Sequence, residues 1–190
     1  LGISVCGSEK CALNRRNVLP GAHRPPRKSS DFKKQLMEKQ KLRFLYWIGE
    51  TEFRNYVKRA LREKGASGEN LLRFLERRLD NTVYRLGFAP THPSARQFVV
   101  HGHIRVNGRK VDKPSYLLRV GDVVSIKEKS RQVPLVEEAA IRSQARPHPS
   151  YLETDREKGE GKLLAFPSRE HLRWLPVDET LVVEYYSRRI

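Results

Sequence analysis

The chain has 190 residues, with 38 Lys or Arg against 22 Asp or Glu, a net charge of +16. That length suits one domain with an insertion or two small domains. Because so much like charge opposes a compact state unless a polyanion or salt screens it, nucleic acid is the leading partner. No run approaches 18 consecutive apolar residues and no charged-then-apolar leader is present, so a membrane span is excluded and the expected location is cytoplasmic. The charge is uneven: residues 1–64 hold 16 basic and 6 acidic side chains, residues 65–131 hold 13 and 6, and residues 132–190 hold 9 and 10. The last third is therefore not expected to be the main polyanion contact.

Along the chain, Cys6 and Cys11 come first. They are too few for a disulfide scaffold and supply half the ligands of a structural zinc, with His23 the nearest other candidate. Half a metal site and two reduced loop cysteines both remain open on the residues alone; the first residue is Leu rather than Met, so further ligands are expected upstream if the site exists. Residues 12–30, "ALNRRNVLPGAHRPPRKSS", are Pro-rich and basic with little apolar periodicity, which predicts an extended segment that a partner must order. From Asp31 to about Lys64 the pattern is helical, broken into two helices by "GET" at 49–51 and closed by "GASG" at 65–68.

Residues 69–86 predict one helix, with Leu72, Leu75, Leu79, Val83 and Leu86 forming an apolar stripe and Arg73, Arg77, Asn81 and Arg85 sharing the other side. "THPSARQFVVHG" predicts a short helix capped by Thr91, tolerant of Pro93 in its first turn and ended by Gly102, with Arg96 and Gln97 outside. "HIRVNGRKVD" alternates Ile104 and Val106 with polar residues, and Asn107-Gly108 is the preferred dipeptide of a two-residue hairpin turn. "VGDVVSIKEKS" repeats the pattern, with a turn at Gly121-Asp122 and a strand over 123–127. A helix over 134–145, a Pro-rich loop at 147–149, a solvated connection through "ETDREKGEGK" and a strand in "ETLVVEYYSRRI" complete the expectations.

The helix and hairpin place Arg96, Gln97, His101, His103, Arg105, Arg109 and Lys110 where they could converge on phosphates and base edges of a junction RNA; the alternative is an ordinary solvated basic surface. His101-Gly-His103 could be read as a metal pair, but two ligands are not a site and no cysteine or carboxylate lies at zinc spacing nearby, so turn-capping or RNA-contacting imidazoles are the favoured reading. "GEGK" at 159–162 fails as a phosphate-binding loop because Leu163 stands where Ser or Thr is needed. Phe44, Tyr46, Trp47, Phe53 and Tyr56 could stack on bases, but their helical spacing suits core packing better. No nucleophile with its base, no paired carboxylates and no dinucleotide loop stand out, so no catalytic residue is expected.

The runs "EKQKLRFLYWIGETEFRNYV", "LLRFLERRLDNTVYRLGFA", "ARQFVVHGHIRVNGRKVDKPSY" and "LVVEYYSR", in that order and over nearly the whole chain, closely resemble the bacterial-type ribosomal protein S4 family of the small subunit. The resemblance implies an α+β fold. In it a mainly helical domain (31–78 and 131–190, completed by the C-terminal segment) carries an inserted module of two helices and a small antiparallel sheet (79–130), preceded by a basic extended segment (1–30). It implies a non-catalytic protein that binds the 5′ domain of 16S-type rRNA, nucleates small-subunit assembly, and sits beside neighbouring ribosomal proteins where mRNA enters the subunit, with its own message a further partner in some members. Some members carry an N-terminal zinc knuckle, and Cys6 and Cys11 match its second cysteine pair, which implies one structural zinc whose other ligands lie upstream of Leu1. The expected RNA contacts are Arg15, Arg16, Arg24, Lys39, Lys41, Arg43, Arg73, Arg77, Arg85, Arg96, Gln97, His101, His103, Arg105, Asn107 and Lys113. A pseudouridine synthase using the same module would need a separate catalytic domain, for which about 60 residues on either side of the module are too few. A stand-alone RNA-binding stress protein is the third reading. A bacterial and an organellar ribosome are both compatible with the residues.

Overall fold

A computed structural model describes residues 29–144 and 148–187 together with Ser4, Cys11 and Leu13. The fold is α+β, with helices α1 (Asp31–Leu45), α2 (Glu50–Arg62), α3 (Ser67–Glu76), α4 (Leu79–Arg85), α5 (His92–Val100), α6 (Pro134–Gln144) and α7 (Glu179–Ser187). Five strands, β1 (Ile104–Val106), β2 (Arg109–Lys110), β3 (Val123–Ile126), β4 (Leu152–Asp155) and β5 (Glu160–Leu163), form one antiparallel sheet in the order β2-β1-β3-β5-β4. No helix among the described residues is long and apolar enough to cross a membrane.

The chain divides into two compact units, one joining the residues before Glu69 to those after Leu175, the other running from Glu69 to Leu175. The second unit is therefore longer than the 79–130 module expected from the sequence: it takes in residues 69–78 and 131–175 as well.

In the split unit, Ser30 caps α1 by accepting the Lys33 N–H at 3.3 Å, and α2 buries Phe53, Tyr56, Val57 and Ala60 along one face, with acidic residues in its first turn and basic ones in its last. The "GET" break falls where expected, between α1 and α2. Packed against them is α7, where a strand was expected. Its Val, Leu and Tyr residues favour strands locally, yet Val182 and Tyr186 four apart meet a helical surface, and the Asp178 carboxylate caps the helix by accepting the Thr180 N–H at 2.9 Å. The Tyr186 hydroxyl donates to Glu50 Oε1 at 2.7 Å. Burial, then its bond to the carboxylate, pushes that hydroxyl far above the usual phenol range.

In the contiguous unit the predicted 69–86 helix is two helices, α3 and α4, parted at Arg77-Arg78. Neither Gly nor Pro marks the break. It is made by the segment at 116–118, which bridges Arg78 in strand fashion and exchanges Leu79 N–H to Tyr116 O and Leu118 N–H to Arg77 O, both at 2.9 Å. The stripe itself is buried as expected at Leu72, Leu75, Leu79, Val83 and Leu86. α5 begins in a capping box between Thr91 and Ser94 and ends at Gly102, whose φ of +73° only glycine adopts readily. Asn107 and Gly108, with φ of +50° and +77°, make the two-residue hairpin turn. The stretch expected as a solvated connection is instead β4, a turn and β5, which extend the sheet because Gly161 on β5 lets Leu86 seat against it.

Candidate nucleic-acid interface

Strand pairing puts directly opposed residues on the same face of a sheet. The register therefore lines up Lys110, Arg105, Ser125, Glu160 and Asp155 in one cross-strand row, opposite the face where Ile104, Val106, Val124 and Ile126 are buried. The row changes sign from end to end: basic on β2 and β1, acidic on β5 and β4. A polyanion is attracted to the first end and repelled by the second.

Beside the basic end stands the C-terminal half of α5. Arg96, Gln97 and His101 are exposed, as are Arg105, Arg109, Lys110 and Lys113 on and after the hairpin. The aliphatic part of Lys110 lies across Gly102, where any Cβ would strike it, so the hairpin charge is held against the end of α5. The His101 and His103 rings are 6.2 Å apart; His103 stacks on Phe98 at 4.8 Å, its Nδ1 is 2.8 Å from Ser130 Oγ, and its carbonyl accepts the Lys127 N–H at 2.8 Å. Burial, then the charges of His101 and Lys127, hold the His103 imidazole below its usual titration range. Lys127, Lys129 and Arg119, also exposed, add to the same unit's charge. Of these, Lys127 had a signal in the alternation after Gly121, which turns every second side chain outward.

Several residues expected on RNA also have partners within the protein. Lys39 is only 4% exposed, bonds Glu50 and lies under the Tyr185 ring at 5.5 Å. Burial opposes ionisation of Glu50, but its bonds to Lys39 and Tyr186 and the Lys39 and Arg43 charges outweigh that and hold it below the usual carboxylate range. Arg43 also reaches Glu50, at 3.2 Å, and covers the Phe44 ring at 4.6 Å; Lys41 pairs with Glu38. Arg73 bonds Asn70 Oδ1 at 2.8 Å, Arg77 Nε donates to the Leu118 carbonyl at 2.7 Å, and both face the Phe166 ring. Asn107 clamps the hairpin to the next turn, donating to Asp122 Oδ1 and accepting the Val123 N–H, each at 2.9 Å.

The most ordered of these networks runs through "ERRLDNTVYR". Glu76, buried, accepts from Asn81 Nδ2 at 2.6 Å, from Arg85 Nε and Nη2 at 3.2 and 3.0 Å, and from the Tyr151 hydroxyl at 2.8 Å. Burial, then the Glu76 charge, raises the Tyr151 hydroxyl well above its ordinary range. Arg78, fully buried, grips Asp80 with two bonds of 2.9 and 2.6 Å, and Arg85 covers the Trp174 ring at 4.3 Å. Arg85 ties α4 to α3 through Glu76, and Glu76 in turn holds Tyr151 just ahead of β4, the role that buried charges fill when each finds a partner. Arg96, 3.7 Å from Asp80 and half exposed, sits at the margin between network and surface.

Arg15, Arg16, Arg24, His23 and Cys6 lie outside the described residues. Cys11 is described, and among the described residues no group of three or more His, Cys, Asp or Glu is placed to hold a metal ion. Cys6 and Cys11 would supply two of a structural zinc's four ligands, the other two being expected upstream of Leu1, and nothing among the described residues supports the ion.

The first 76 residues match the family model described as "Ribosomal protein S4/S9 N-terminal domain", and residues 77–124 match the one described as "S4 domain". Curated relatives named "Small ribosomal subunit protein uS4" include those of Syntrophobacter fumaroxidans, 52% identical over 184 residues, Solidesulfovibrio magneticus, 50%, and Acetivibrio thermocellus, 48%; each alignment covers 96% of this chain and 88% of the relative.

Proposed function

The chain belongs to the uS4 family of small ribosomal subunit proteins, and from that premise we propose that it is a non-catalytic structural constituent of the small subunit that binds 16S-type rRNA. Its role in this reading is to hold a junction in the 5′ domain early in assembly, next to neighbouring ribosomal proteins and where mRNA enters. Binding to its own message is part of the same proposal, since one phosphate-reading surface serves either RNA. The cytoplasm of a bacterium is the expected location.

The observation that carries the reading is the segregation of charge in the contiguous unit. Arg78 and Arg85 are satisfied by buried carboxylates, whereas Arg96, Arg105, Arg109, Lys110 and Lys113 are left outward at one end of the sheet and on the helix beside it. Lys and Arg on phosphates dominate affinity here, and Gln97, His101 and His103 are the side chains in position to meet base edges or sugar.

Binding to a 5′-domain rRNA fragment across a salt series tests this. Neutralising about 8 phosphates gives a slope of log affinity on log salt on the order of −6 to −7, and each of R105A and R109A flattens it by somewhat under one unit. A slope near zero, or equal affinity for bulk RNA, overturns the proposal.

A further inference from the structure

In the split unit one large side chain is displayed from a backbone conformation that is costly for it. Trp47 has φ of +53° and is 54% exposed. The left-handed region is a rare place for a bulky residue, and glycine is the ordinary occupant just past a helix. The fold nonetheless pins it there: the Trp47 N–H reaches the Phe44 carbonyl and the Ile48 N–H the Arg43 carbonyl, both at 3.1 Å, while Tyr46 and Ile48 on either side are buried. No hydrogen bond or ring contact of the indole is found among the described residues. An outlier of this kind that is held by its neighbours while more than half of its surface stays exposed points to a function outside the chain.

The setting defines the partner. Trp47 is bonded to the turn of α1 on which the Arg43 guanidinium covers the half-exposed Phe44 ring at 4.6 Å. The residues that follow, Gly49, Glu50 and Thr51, are exposed and not aliphatic, so the two exposed rings are bordered along the chain by small and polar groups. A projecting aromatic beside a stacked guanidinium, in a chain of net charge +16, suits the π-face of an unpaired base better than an apolar protein surface. We propose that Trp47 is a stacking platform for an unpaired nucleotide of the RNA this protein binds. The inference rests on the rRNA reading above and adds a contact in the split unit to those of the contiguous one.

The test uses full chains and the 5′-domain rRNA fragment. The chain has two tryptophans, so W174F leaves Trp47 as the sole indole reporter, and its emission should be quenched when the fragment binds. W47G and W47A should weaken binding by on the order of 10-fold, W47F should restore most of the loss, and all should melt within a few degrees of the parent. Unmoved emission together with parent-like affinity of W47G overturns the stacking site while leaving the rRNA reading intact, and leaves a protein contact as the use of this ring. Failure of the unaltered chain to bind the fragment overturns both.

Discussion

Glu76→Gln isolates the network that organises the contiguous unit. The carboxylate is 1% exposed and accepts four hydrogen bonds, from Asn81, twice from Arg85, and from Tyr151. The amide has the same shape but turns one acceptor into a donor facing other donors, and it removes the negative charge that pairs with Arg85. Removing one partner of a buried ion pair costs about 3–5 kcal/mol. Arg85 keeps 14% of its side-chain exposure and its contact with Trp174, so the lower end of that range, roughly 3 kcal/mol, is the expected loss here. At about 2–4 °C per kcal/mol for a chain of this size, the melting temperature should fall by about 6–12 °C. Circular dichroism melts of E76Q, the parent and the exposed control E128Q at neutral pH provide the measurement. A fall under about 2 °C for E76Q would refute the reasoning and return Arg85 to the set of residues available to RNA.

The other predictions concern close packing and protonation. A Cβ on Gly161 would meet both terminal carbons of Leu86, so G161A should cost about 1–3 kcal/mol through overpacking. Adding L86A should recover part of that loss, and an additive double variant would show that the contact is not the cause. Burial, then the charges of His101 and Lys127, hold the His103 imidazole below the ordinary histidine value of about 6.5 in the folded chain, so as the pH falls past that value the unfolded chain takes the proton first. Stability present above about pH 6.5 is then lost progressively toward the folded pKa. H103Q should flatten the fall in melting temperature between about pH 7 and 5.5, and an unchanged slope would assign the dependence to other groups.

Local chemistry made part of this fold legible. Thr91, Pro93, Gly102 and Asn107-Gly108 act within a turn of themselves, and α5 and the β1–β2 hairpin follow from them. The break at Arg77-Arg78 was hidden because its cause, the 116–118 segment, lies some forty residues away. The β4–β5 hairpin was disguised by acidic residues and glycine, although Leu152 and Thr154 and then Gly161 and Leu163 alternate as strands do. In α7 the β-branched and aromatic residues favoured a strand, and the capping Asp178 was the signal for a helix. The interface divides the same way: spacing places Arg85 and Lys39 on basic helix faces, but only tertiary structure brings Glu76 and Glu50 to them.

The division of the chain into a contiguous and a split unit carries a consequence for its synthesis. Every residue of the Glu69–Leu175 unit is polymerised before α7, whereas α1 and α2 pack against α7, which is encoded after that unit. The early helices must wait for the last ones. Loop closure over the intervening segment is entropically costly in an unfolded chain, but folding of the contiguous unit first would reduce that segment to a compact spacer. Truncation before Pro176 should therefore leave a folded sheet unit with a basic, unclosed helical arm that still presents the same outward charge.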